Sequence, residues 1–142
     1  MRHIFLIFFI LALAALPLGA RVYFVVSPPR FEMNMAPGQN RTETISVING
    51  DSSNPLRLQV SVKGWKKSKS GQTAYFGPSE QPRSCGGWLV VNPSEFELPA
   101  RGTETVRFTI TVPESVSGSY WAMIFFESQP DTTIKGMVGV RL

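Results

Sequence analysis

An all-β sandwich is the fold the sequence predicts, and three observations carry that prediction. From residue 22 onward apolar and polar residues alternate with period two, the mark of strands with one face on a core and the other in water. Turn-forming residues separate the alternating runs, as in Ala36-Pro37-Gly38, Asn49-Gly50-Asp51, Pro99-Ala100-Arg101-Gly102 and Val116-Ser117-Gly118. No ten-residue stretch beyond the first twenty carries a helical stripe.

The first twenty residues are of a different character. Met1-Arg2-His3 is a short basic start, Ile4 to Leu16 is an unbroken apolar run, and Pro17-Leu18-Gly19-Ala20 ends on small residues. That order is expected of a secretory signal peptide, residues 1–20, because the apolar run is shorter than the roughly 20 residues a membrane span requires. The expected mature domain is residues 21–142, exported to a periplasmic or secreted location and without stable membrane insertion after cleavage. With Arg2 gone, 13 of the 14 basic residues stand against 10 acids, a charge of about +3. This is too mild, and the Lys63, Lys66, Lys67, Lys69 cluster too local, for a nucleic-acid face.

Strands are expected at 22–27, 30–35, 42–49, 56–65, 88–92, 104–112, 119–127 and 134–142. The first two read as halves of one strand interrupted at Pro28-Pro29, since proline cannot donate to a central ladder. Such a break lets an edge strand cross from one sheet to the other. The count is then about seven antiparallel strands, which suits an immunoglobulin-like β-sandwich. Residues 66–87 are the least patterned part, with Tyr75-Phe76 as a candidate short strand or flap. In Ser117 to Ser128, Tyr120 suits a tyrosine corner. Ala122, Ile124 and Phe126 share one face there and Trp121, Met123 and Phe125 the other, so this strand is either covered on both sides or exposes a binding surface.

Catalytic chemistry is sparse. His3 is the only histidine and falls in the leader, which removes Ser-His and Cys-His catalysis and histidine metal sites. Cys85 is the only cysteine, so no internal disulfide exists, and it is expected to be half-buried or to pair between chains. Glu95 and Glu97 could share a strand face at glycosidase-like spacing, but alternating acids on a wet face are ordinary. No phosphate loop or calcium loop is present. The expectation is a protein that is not an enzyme and takes no cofactor and no metal.

An ordered series of segments resembles the N-terminal domain of PapD-like periplasmic chaperones, the immunoglobulin-like proteins that assemble bacterial pili. It runs from Val26-Ser27-Pro28-Pro29-Arg30-Phe31 through Glu43 to Asn49, Leu58 to Trp65, Trp88 to Leu98 and Glu104 to Ile110. The resemblance implies that an arginine of the first strand and a basic residue of the last hold the C-terminal carboxylate of a pilus subunit. Arg30 and Arg141 are the matching positions. It also implies that the last strand adds to the subunit's sheet, with Ile134, Val138 and Val140 as the strand-addition edge pointing one way and Arg141 the other. Gly136 and Gly139 make that apolar row weaker than a donor strand usually shows, and the chaperones' second domain is expected to be absent. Partners implied are protein subunits of pili or surface structures, with no nucleic acid, and the edge strand also allows a homodimer. The rival expectation is an exported immunoglobulin-like structural or adhesive module without chaperone activity. It would have a fully paired last strand and the two arginines far apart.

Overall fold

Pro28 and Pro29 organise the architecture. The computed structural model describes residues 24–129 and 135–142, and the expected leader (1–20) and Ile134 lie outside them. Strand β1 (Phe24–Ser27) runs antiparallel to β3 (Asn40–Asn49), and after the two prolines the chain continues as β2 (Arg30–Glu32) in the other sheet. There it lies parallel to the last strand, β10 (Lys135–Arg141). That parallel pair departs from the all-antiparallel expectation, for a simple reason. The N-terminal strand keeps its direction while its neighbour changes from β3 to β10.

The remaining elements are β4 (Leu56–Lys67), β5 (Thr73–Phe76), a 3₁₀ turn at Gly86–Trp88, β6 (Leu89–Asn92), β7 (Glu95–Leu98), β8 (Thr103–Thr111) and β9 (Trp121–Gln129). One sheet has the order β1-β3-β8-β6; the other is β2-β10-β9-β4-β5, with β7 pairing an earlier stretch of β4. Counting β1 and β2 as one interrupted strand and setting aside the short β5 and β7 leaves the seven principal strands of an immunoglobulin-like sandwich. The period-two pattern decides which residues meet between the sheets. Ile45 and Val47, Leu58 and Val60, Val106, Phe108 and Ile110, and Ala122, Ile124 and Phe126 all turn inward and are buried. Phe31 of β2 meets Phe108 of β8 edge-on, with ring centroids 4.9 Å apart, which ties the short crossing strand to the opposite sheet.

Two features that look weak in sequence are structural. At Gly136 a side chain's first carbon would stand 2.7 Å from the Phe24 ring and 2.9 Å from Val26, so only glycine lets β1 close over β10. Asn49, 2% exposed, donates through Nδ2 to the carbonyls of Asn54, Leu98 and Pro99 and accepts the Asp51 N–H at Oδ1. A buried amide with these bonds locks the end of β3 to two loops at once.

The poorly patterned stretch 66–87 is ordered. A tight turn joins β4 to β5, with the Ser68 N–H donating to the Gln72 carbonyl at 2.8 Å. The loop after β5 folds onto the start of β9, where the Trp121 N–H donates to the Arg83 carbonyl and the Cys85 N–H to the Trp121 carbonyl. Cys85 is fully buried there, which corrects the half-buried and interchain-pairing expectations. Burial pushes its thiol up to about 12. Tyr120 also differs from its expected role. Its ring lies between the guanidinium of Arg83, 5.3 Å away, and the ring of Trp88, 4.6 Å away, and it is this stacking that seats it.

Candidate functional site

The crossing strand and the last strand meet at one end of the second sheet. Their parallel register sets Gly139 beside Arg30, Val140 beside Phe31 and Arg141 beside Glu32. Since Phe31 and Val140 turn toward the core, Arg30, Glu32 and Arg141 all project from the outer face. The Arg30 guanidinium pairs with Glu32 Oε1, and Arg141 Nη1 lies 3.8 Å from the same oxygen. Two arginines far apart in sequence therefore converge on one carboxylate atom, both with well-exposed side chains.

Beside them the outer face becomes apolar. Trp65 of β4, Trp121 and Met123 of β9 and Met137 of β10 line a groove of about 630 Å³ that is rimmed by Arg30 and Arg141. The indole N–H of Trp121 donates to the Trp65 carbonyl at 3.0 Å, which fixes that ring against the sheet. The floor is Gly139, where an added side chain would meet nothing closer than Arg30 Cγ at 3.9 Å. The groove exists because that position carries no side chain. Farther along β9, Tyr75 packs edge-on against Phe125 at 4.9 Å and Lys63 sits 4.8 Å from the same ring, leaving Phe125 only 3% exposed. The Tyr75 hydroxyl donates to Met137 Sδ at 3.4 Å. The open question about β9 thus has a split answer: its outer face is roofed at Phe125 and half-open at Trp121 and Met123.

The edge of β10 is half covered. The Gly139 N–H donates to the Pro29 carbonyl and the Met33 N–H to the Arg141 carbonyl, so odd-numbered residues of β10 aim their backbone groups at β2. By the same alternation Met137 aims its N–H and C=O at that side. The β2 pairing stops at Gly139, and the next residues back along the chain, Pro29 and Pro28, have no N–H to give. Among the described residues no strand pairs with the outer edge of 135–138.

The expected strand-addition side chains need correcting in this light. Val138 and Val140 are 0% and 2% exposed and belong to the core, because inward-facing positions of β10 complete the sandwich. What β10 presents outward is Met137, Gly139, Arg141 and the backbone edge. The residues that sequence reasoning missed are Glu32, Trp65, Tyr75, Met137 and Gly139. Glu32, two residues after Arg30 on a strand, was the one with a local signal. Of the acids Glu95 and Glu97, both exposed on β7, Glu95 Oε1 is held by Arg57 Nε at 2.8 Å.

No protein-family model and no curated protein matches this chain. Solved structures do. The periplasmic chaperone SfaE superposes with a TM-score of 0.56 at 12% identity, covering 84% of this chain and 56% of SfaE. The class 5 fimbriae chaperone CfaA gives 0.58 at 19% identity, covering 84% and 55%. The CsuC–CsuE chaperone–tip subunit complex from the Csu pili of Acinetobacter baumannii gives 0.57 at 13%, covering 84% and 55%. A family 123 glycoside hydrolase from Clostridium perfringens matches the same fold at 10% identity with a TM-score of 0.57, whereas the first three are chaperones or a chaperone complex. The chain has their PapD-like immunoglobulin-like fold and spans about half the length of the chaperone chains it matches.

Proposed function

We propose that this domain is a periplasmic chaperone-like protein that binds an extended segment of a pilus or surface subunit by β-strand addition, without catalytic activity. The observation that carries the reading is the convergence of Arg30 and Arg141 beside an edge of β10 that no strand pairs among the described residues, in a fold shared with fimbrial chaperones. A terminal carboxylate between two guanidinium groups forms charge-assisted hydrogen bonds, stronger than neutral ones. The main chain of the same segment then has the N–H and C=O of Met137 to pair with, and its side chains have the groove over Gly139. The expected location, outside the cytoplasm, follows from the leader-like start of the sequence.

One observation favours the rival, an exported structural or adhesive module. β2 already covers Gly139–Arg141, and the apolar side chains of β10 serve its own core. A single experiment separates the two. The full chain, expressed with its leader in a fimbriated bacterium, is recovered from periplasmic extract and its companions are identified by mass spectrometry. The chaperone reading expects pilus-type subunits that disappear in Arg30→Glu; recovery of the same companions at unchanged yield from that variant rejects it.

A further inference from the structure

The two arginines are not waiting empty-handed. Glu32 already occupies the point that both guanidinium groups reach, which is where a foreign carboxylate would bind. Its value to stability is small, because exposed ion pairs contribute only about 0–1 kcal/mol and all three side chains are more than half exposed. Its effect on recognition is larger. An incoming carboxylate must displace Glu32 from at least one arginine or share the pair with it, and in either case part of the electrostatic gain is cancelled. A carboxylate alone is therefore a poor ligand. One that also brings apolar surface into the groove walled by Trp65, Trp121, Met123 and Met137 recovers that loss by burial.

Building on the carboxylate-binding reading above, we infer that Glu32 is a built-in competitor for Arg30 and Arg141, and that it restricts the site to chain termini whose final side chain is apolar and fills the groove over Gly139. The penalty falls on every carboxylate alike and sets the threshold, while the groove separates apolar termini from the rest. Position 32 tolerates substitution, since the Glu32 side chain faces solvent at 57% exposure.

Three small probes read the site without requiring strand addition: N-acetylleucine, N-acetylglycine and N-acetylleucine amide. Titration of the whole chain is followed by the NMR signals of the Arg30 and Arg141 side-chain N–H groups. The wild type is expected to respond to N-acetylleucine well before N-acetylglycine, and least to the amide. Glu32→Gln should tighten both acids about fivefold while leaving the amide unchanged, the effect of removing roughly one exposed ion-pair equivalent. Gly139→Val, whose first side-chain carbon would meet nothing nearer than Arg30 Cγ at 3.9 Å, should erase the preference for leucine over glycine and keep the preference for acid over amide. Equal acid affinities in wild type and Glu32→Gln would overturn the inference and leave the arginine site standing. Weaker acid binding in Glu32→Gln would also overturn it, making Glu32 an orienting group for the arginines. If the acids move neither arginine in wild type or Glu32→Gln, the carboxylate reading falls and takes this inference with it.

Discussion

The outer faces of the two sheets are built from the same strand periodicity and end in opposite states. On the four-stranded sheet the central outward positions are Thr42, Thr44 and Ser46 of β3 and Thr105, Arg107 and Thr109 of β8, with Thr42 and Thr109 hydroxyls meeting at 2.8 Å, while Val25, Ile48 and Val90 are exposed toward its margins. Hydroxyl ladders of this kind are at home in water and pair across strands. On the other sheet the equivalent positions are Trp65, Trp121, Met123, Phe125 and Met137. The hydroxyl-lined centre of the first face needs no cover, and its exposed valines and isoleucine stand at the margins rather than gathered into a groove. The apolar face is closed over at Phe125 and only partly covered at Trp121 and Met123, and that half-open part adjoins both arginines and the edge of β10. A contiguous apolar patch rimmed by charge is where a partner is to be sought.

The strongest way to break this contrast is from inside. Phe108→Ala empties the centre of the core beneath the threonine face and removes the ring that Phe31 packs on. Large aromatic deletions in cores cost about 3–5 kcal/mol, so urea unfolding should show a loss of that order. Because Phe31 sits between Arg30 and Glu32, the variant should also loosen the site at the far face. Hydrogen exchange in β2 that stays at the wild-type rate would show the two faces to be independent.

Cys85 offers a smaller effect with a defined pH window. Its thiol is raised from 9.0 to about 12 by burial, so the folded state holds its proton where the unfolded chain has lost it. Stability is then intact below pH 9 and falls by roughly 1.4 kcal/mol per pH unit above it, until about pH 12. Cys85→Ala should flatten that alkaline slope in denaturant titrations at pH 8 and pH 10.5, with an unchanged slope counting against the burial account. The test bears on the contrast because Cys85 anchors the loop that supports Trp121.

Converting one face into the other is the sharpest test with the least thermodynamic noise. Met123→Thr with Met137→Thr gives the groove the chemistry of the threonine face. Stability should change by no more than about 1 kcal/mol, since both sites are partly solvent-exposed, while N-acetylleucine binding should weaken severalfold. The reciprocal change, Thr42→Val with Thr109→Val, should shift stability by about 0.5 kcal/mol or less and leave binding untouched. Equal binding losses from both pairs would dissolve the distinction between the faces.

Most of the fold was legible because period-two alternation is a local property. Ile45 and Val47, or Val106, Phe108 and Ile110, announce their buried face from spacing alone, and Pro28-Pro29 announces the crossing because a residue without an N–H cannot continue a ladder. The four-residue β7 is absent from the expected strands, although Glu95 and Glu97 read as sharing a strand face, because its alternation spans only four residues. Arg30 and Arg141 were nameable through a resemblance, but nothing near either one in the chain says that they converge.

The sequence by itself determined a two-layered β fold, a lone cysteine with no internal disulfide, and the paired apolar faces of β9. Only the tertiary structure decided that Val138 and Val140 belong to the core while Gly139 opens a groove. It alone brought Glu32 between the two arginines and, among the described residues, left the edge of β10 beyond Pro29 without a partner strand. The reason is that alternation tells which residues share a face of one strand, whereas the neighbours across strands depend on register and direction. Those were decided when the interrupted first strand came to lie parallel to the last.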